Sequence, residues 1–185
     1  MSAFPHGPKE LAPAGAMTMD TARLRLRARM LSDLEGLEAI VAMDVHPLVR
    51  KFIGGPLDAA SHREEVRRNI VQGRPEPHAS WAIEWRAASG LLGLCGLSPS
   101  DETGFTQIGW RLHRFAWGQG VATEAARTVL MRALGPFGLR VVVAMIHPDN
   151  RASLHVAEKI GMTQSGITLY RGVPQLVYRA DSPRR

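Results

Sequence analysis

A single cysteine, Cys95, is all the thiol this chain carries. One cysteine cannot close an internal disulfide or build a cysteine-rich metal site. Its neighbours in Leu91-Leu92-Gly93-Leu94-Cys95-Gly96-Leu97 are apolar, so it reads as core filler rather than a nucleophile. Long apolar runs are missing too: none approaches the ~20 residues of a membrane span. The N-terminus lacks the basic-then-apolar pattern of a secretory signal, and a cytoplasmic location is the default expectation. Lysine occurs only at Lys9, Lys51 and Lys159, so the net charge of +6 is arginine's. That charge is spread along the chain with no interleaved aromatic platform, which argues against a direct nucleic-acid role. The seven histidines show no metal-ligand spacing, so no metal is expected.

What remains is an ordinary globular composition, 45% hydrophobic and 22% charged over 185 residues, enough for one domain with its own core. Residues 1–17 carry Pro5, Pro8 and Pro13 without any period and read as a flexible tail. The domain is expected over 18–181, with a short tail at 182–185.

Arg23-Leu24-Arg25-Leu26-Arg27 alternates as a half-buried strand does. Ser32-Asp33 is placed to cap a helix with Leu34, Leu37, Ile40 and Val41 on one stripe, which His46-Pro47 ends. Ser61, with Glu64 three residues on, predicts a capping box for a second helix through Gln72. Strands follow at Trp81–Trp85, Leu91–Leu97 and Thr106–Leu112, the first pair joined by a tight turn at Ser89-Gly90. A third helix follows Gly118-Gln119-Gly120, with Ala122, Ala125, Ala126, Val129, Leu130, Ala133 and Leu134 on one face, and stops at Gly135-Pro136. Val141–Ile146 is apolar throughout, like a strand buried on both faces. Asn150 caps a fourth helix that stops at Gly161, and short strands at 168–170 and 175–179 close the chain around Gly172 and Pro174. The order β-α-α-β-β-β-α-β-α-β-β describes an α+β fold with a mixed sheet and helices on both faces.

The stretch Trp117-Gly118-Gln119-Gly120-Val121-Ala122-Thr123-Glu124-Ala125 is the most informative. Alternating glycines let consecutive N–H groups converge, and the helix behind them adds its positive end. Such a loop suits a phosphate or pyrophosphate. No Gly-Lys-Ser/Thr follows the glycines, so a phosphate-loop nucleotidase is not indicated.

This loop, the opening Thr21-Ala22-Arg23-Leu24-Arg25-Leu26-Arg27, the strand Ile108-Gly109-Trp110-Arg111-Leu112, Asn150-x-x-Ser153 and Glu158-Lys159-Ile160-Gly161-Met162 together resemble the GNAT N-acetyltransferase superfamily. The likeness spans nearly all of 21–180 and is strongest to its ribosomal-protein alanine N-acetyltransferase type. It implies the acyl-CoA N-acyltransferase fold, a mostly antiparallel sheet with strands splayed around the CoA site. It also implies acetyl-CoA as co-substrate and an amine as acceptor, a ribosomal or other protein N-terminus being compatible with it and a homodimer left open. By resemblance, Trp117, Gly118, Gln119, Gly120, Val121, Ala122 and Thr123 hold the pyrophosphate, while Leu112 and His113 offer backbone to the pantetheine arm. Asn150 and Ser153 would touch that arm from the helix start.

The catalytic groups are less marked. An oxyanion donor is expected in the backbone at Leu112 or His113. Many relatives carry an acid just before the Gly-aromatic pair; here Gln107 stands there and cannot titrate. Glu84 and His113 are the candidate bases, with a relayed water as the other route. A Tyr that many members use to protonate the thiol is replaced by Ala157, leaving Ser153 to assist the departing sulfur. The acceptor is expected opposite the cofactor, past Asp44, His46 and Phe52-Ile53-Gly54-Gly55. Gln107 and Ala157 also leave open a catalytically silent acyl-CoA-binding module.

Overall fold

Leu24 and Leu26, both fully buried, anchor the first long strand of the computed structural model, which describes residues 18–28, 34–54, 57–72 and 77–183. The chain order is β1 (Met19–Asp20), β2 (Leu24–Ala28), α1 (Leu34–Val45), α2 (Pro47–Arg50), α3 (Ala59–Gln72), β3 (Ser80–Trp85), β4 (Leu91–Pro99), β5 (Thr106–Leu112), α4 (Val121–Leu134), β6 (Val141–Ile146), α5 (Arg151–Lys159), β7 (Thr163–Tyr170) and β8 (Val173–Asp181). The strands form one sheet in the order β1-β2-β3-β4-β5-β6-β8-β7. Every neighbouring pair is antiparallel except β5 and β6, which run parallel.

The two-residue period of the strands divides the core. Trp81 and Ile83 of β3 face α4, where Val121, Ala125, Ala126, Val129 and Ala133 are wholly buried. Small side chains on that stripe let the helix lie close to the sheet, and each buried aliphatic such as Val129 contributes about 1.5–3 kcal/mol. Ala82 and Leu94 face the other way, toward Leu37, Ile40, Val41 and Met43 of α1 and Val66 and Ile70 of α3. Helices therefore cover both faces of a mixed sheet, as the α+β reading anticipates.

Three local expectations need correction. The cap of α3 is Asp58, not Ser61: its carboxylate accepts the Ser61 N–H at 2.8 Å and the helix starts at Ala59. An ionised acceptor at the N-terminus outcompetes a hydroxyl, and Glu64 pairs with Arg67 instead. The closing hairpin is longer than expected because Arg171 and Gly172, at φ 51° and 78°, make a two-residue turn that lets Tyr170 pair with Val173. Pro174 lies within β8, beyond the last residue that β6 pairs, Leu176. The β3–β4 connection spans residues 86–90 rather than turning at Ser89-Gly90 alone. The cap expected at Ser32-Asp33 and the tail at 1–17 lie outside the described residues.

Two features shape the site. β5 pairs with β6 only at Thr106 and Gln107, so from Ile108 onward its far edge is open. On its other edge the His113 N–H donates to the Leu92 carbonyl at 2.9 Å. By antiparallel alternation, the N–H groups of Trp110 and Leu112 then turn to the open side.

Candidate functional site

After Leu112 a short 3-10 turn, Arg114–Ala116, delivers the chain to the glycine loop. Gly118 and Gly120 have φ of 75° and 76°, the left-handed region where a side chain is strained. No side chain caps the N-terminus of α4. Its first N–H groups therefore face outward with the positive end of a 14-residue helix behind them.

The loop is braced from β2. Arg23 Nη1 donates to the Gln119 carbonyl at 3.1 Å, and Arg23 Nη2 lies 2.7 Å from the Glu124 carboxylate. Thr21 Oγ1 donates to the same carboxylate at 2.5 Å. Burial pushes the Glu124 pKa up, but the bonds from Thr21 and Arg23 outweigh it and hold the group below the usual carboxylate range. The clamp is therefore fully formed above that range and is lost only as pH falls through it. The Thr21 and Arg23 of the opening motif thus act on the glycine loop, a link that spacing in sequence does not reveal.

A cavity of about 860 Å³ opens between this loop, the α2 turn and the start of α5. Leu112, Trp117, Gly118, Gly120, Val121, Ala122, Thr123, Asn150 and Ser153 line it. Gln119 does not; its amide donates to the Phe115 carbonyl at 2.7 Å. The Trp117 indole donates to the Leu112 carbonyl at 3.0 Å, tying loop to strand. The Asn150 side chain accepts the Ser153 N–H at 3.2 Å, which caps α5 and leaves the Asn150 amide N–H groups to the cavity. Four cationic side chains also line it, Lys51, Arg111, Arg151 and Lys159, against the one acid Asp149. Isolated in sequence, these cations carry no signal; only the fold gathers them. The set suits an anionic ligand carrying several phosphates.

A second cavity, about 460 Å³, lies on the α1/α3 side of β5. Ile53, Trp110, Arg111 and Ser153 line both cavities, so the two meet across the open edge of β5. Asp44 and His62 form the buried polar floor: Asp44 is 1% exposed and its Oδ2 is 2.9 Å from His62 Nε2. Arg111 Nη1 stands 3.2 Å from Asp44 Oδ1, a charge contact without hydrogen-bond direction. His62 Nδ1 lies 3.3 Å from Glu65 Oε2. Sequence pattern points to Asp44 but not to His62 and Glu65, because a polar i, i+3 pair on a charged helix looks like a solvated face.

The candidate bases fare differently. Glu84 lines neither cavity; Arg27 Nη2 donates to its carboxylate at 2.8 Å across β2–β3. His113 lines neither cavity; its ring stacks on Phe115 with 5.2 Å between centroids, and burial holds it below the usual imidazole range. The His113 N–H is also spent on Leu92, so of the two only the Leu112 N–H turns to the open edge of β5. His46 caps α2 through Nδ1, accepting from the Leu48 N–H at 3.2 Å, rather than lining the acceptor mouth. Phe52 lines the larger cavity only, Ile53 both, and Gly55 lies outside the described residues. Cys95 is buried and its thiol is pushed up to about 12 by desolvation, so it carries no thiolate at neutral pH.

Known proteins share this architecture. Residues 23–163 match the family model described as an acetyltransferase (GNAT) domain. The uncharacterized protein YkkB of Bacillus subtilis (strain 168) is 33% identical over 164 residues, covering 88% of this chain and 94% of that protein. The ribosomal-protein-S5-alanine acetyltransferase from Vibrio fischeri superposes with a TM-score of 0.76 at 15% identity, over 90% of this chain and 97% of that one. A ribosomal L7/L12 α-N-protein acetyltransferase in complex with coenzyme A gives 0.72 at 19% identity, over 89% and 98%. At such identities the structural likenesses speak for the fold.

Proposed function

The chain belongs to the GNAT acetyltransferase family, and from that membership we propose that it moves the acetyl group of acetyl-CoA onto a primary amine by direct attack with both substrates bound. The acceptor is a protein N-terminal α-amine or a small-molecule amine. The observation that carries this reading is the meeting of two cavities at Ser153 on the open edge of β5.

In this reading the diphosphate lies on the N-terminus of α4, in the cavity that Lys51, Arg151 and Lys159 also line. The pantetheine arm runs along the unpaired edge of β5, its amides meeting Trp110 and Leu112 backbone and the Asn150 side chain. The Leu112 N–H is directed at the thioester oxygen, where a preorganised donor gains strength as the oxyanion forms. Ser153 Oγ–H donates to the leaving sulfur. A serine hydroxyl is too weak an acid to surrender its proton to a thiolate, so its role is to stabilise that charge. The inert, buried Cys95 supports transfer without a covalent enzyme intermediate. Holding two reactants in register supplies the rest of the acceleration.

The test is release of free thiol from acetyl-CoA with a panel of amines: an alanine-initiated peptide, a polyamine and an aminosugar. Ser153→Ala is expected to lower kcat about tenfold while the Kd for CoA moves less than about twofold. Binding of CoA without thiol release from any amine would favour the silent module instead. A second variant probes the brace behind the loop. Arg23→Ala removes the donor to Gln119 and leaves the Glu124 carboxylate uncompensated beside an anion. Both effects have the same sign, and a roughly tenfold weaker Kd for CoA by calorimetry is expected, about 1.4 kcal/mol.

A further inference from the structure

An amine acceptor must shed a proton before it can attack. Reference pKa values are about 10.4 for a lysine-type amine and about 7.7–8.0 for an α-amine, so the ammonium form is abundant at neutral pH. The position two before Gly109, Gln107, lines the acceptor cavity and has no titratable group. Among the described residues, the titratable side chains on that cavity wall are Asp44, His62, Glu65, Arg111 and Tyr170. A guanidinium does not deprotonate, which sets Arg111 aside. Asp44 is sealed from solvent, engaged at one oxygen by His62 and faced at the other by Arg111. Tyr170, whose ring carries the Arg171 guanidinium at 5.4 Å, is a phenol, a hydrogen-bond donor rather than a base.

We propose that His62 is the proton acceptor for the amine, oriented by Asp44 and relieved by Glu65. This rests on the transferase reading above. At the 2.9 Å contact the Asp44 carboxylate takes the Nε2 proton, and in that tautomer the lone pair is on Nδ1, beside Glu65. In the neutral ring, Nδ1 and Glu65 Oε2, 3.3 Å apart, are two acceptors facing each other. An ammonium N–H satisfies both. Once Nδ1 takes the proton, the ring donates at both ends to carboxylates, which stabilises the product of the transfer. The Glu65 side chain is 59% exposed, and it passes that proton to water.

The balance is R–NH3+ plus acetyl-CoA giving the N-acetyl amine, free CoA thiol and one proton. The first proton leaves the ammonium for His62 Nδ1 and reaches solvent through Glu65. The freed lone pair forms the C–N bond, the C–S bond breaks, and a second nitrogen proton ends on sulfur. Charges bearing on His62 come from Asp44 of α1 and Glu65 of its own α3, with Arg111 of β5 against Asp44; the Tyr170 phenol of β7 lines the same cavity. Arg50 and His113 act more distantly, through Asp44.

The experiment uses the full chain, saturating acetyl-CoA and, from the same amine panel, the acceptor that the wild type turns over fastest. His62→Gln is expected to lower kcat/KM about tenfold at pH 7, with the gap closing as pH rises past the acceptor's own pKa. With a weakly basic amine that is already neutral at pH 7, such as trifluoroethylamine, the two proteins are expected to match within about twofold. The Kd for CoA should not move. Glu65→Gln, on an exposed side chain that the fold does not need, should show the same pH-dependent loss at about threefold and serves if His62→Gln does not fold. A loss that is equal at every pH, or equal with the neutral amine, overturns the role of His62 while leaving the transferase reading intact. Absence of thiol release by the wild type with every amine overturns that reading, and this one with it.

Discussion

Gly120→Asp is expected to weaken CoA binding at least about a hundredfold, about 2.7 kcal/mol, while the protein stays folded. Gly120 occupies the N-cap of α4 at φ 76°, and a Cβ there meets nothing nearer than Arg23 Nη2 at 3.4 Å. Aspartate tolerates the left-handed region better than most residues and is a favoured N-cap. Its carboxylate takes up the first N–H groups of the helix and pairs with Arg23, so the fold gains a cap as it loses a glycine. Those same N–H groups are the ones proposed to hold the diphosphate. Two like charges ~5 Å apart at an effective dielectric of ~20 repel by about 3 kcal/mol. Gly120→Ala, without the charge, should cost stability about 1 kcal/mol and affinity only a fewfold. Calorimetric titration with CoA beside thermal unfolding separates the two effects; a Kd for Gly120→Asp within about fivefold of wild type would place the diphosphate elsewhere.

That this loop could be singled out from sequence follows from how local its signal is. The strand over Thr106–Leu112, the glycines and the stripe of the following helix all act through neighbours in the chain; of that stripe Ala125, Ala126, Val129, Leu130 and Ala133 are buried and Ala122 and Leu134 half-buried. Glu84 shows the opposite case. Alternation placed it correctly on the face away from Trp81 and Ile83, yet whether that face opens on a cavity depends on Arg27, 57 residues away in sequence. The Asp44–His62 contact crosses 18 residues and two helices, and only the packing of α1 on α3 makes it. The splay of β5 from β6 is a matter of how many residues pair, which hydrophobic patterning does not encode. Local backbone conformation was therefore legible where side-chain constellations were not.

The splay needs a rigid edge on its other side, and Gly93 shows what keeps it rigid. Gly93 pairs with Leu112, the residue whose N–H is proposed to aim at the thioester. A Cβ at position 93 would stand 2.2 Å from the Arg111 carbonyl oxygen, 2.5 Å from Leu112 Cδ2 and 2.8 Å from Leu112 Cα. Two of these three atoms are backbone, so no rotamer change relieves the overlap; β4 and β5 must part. Gly93→Ala is therefore expected to cost about 3 kcal/mol, lowering the unfolding midpoint by roughly 6–12 °C for a chain of this size. Gly109→Ala is the control: it lies in β5 and lines the acceptor cavity, and a Cβ there would have nothing within 4 Å. It should stay within about 0.5 kcal/mol of wild type. In the fraction of Gly93→Ala that remains folded, kcat should fall further than affinity for CoA. In the proposed arrangement the phosphates lie at α4, whereas the displaced Leu112 N–H acts only on the reacting carbonyl. Equal unfolding midpoints for the two alanine variants would show that β4 and β5 are not in the close contact on which the aim of that N–H depends.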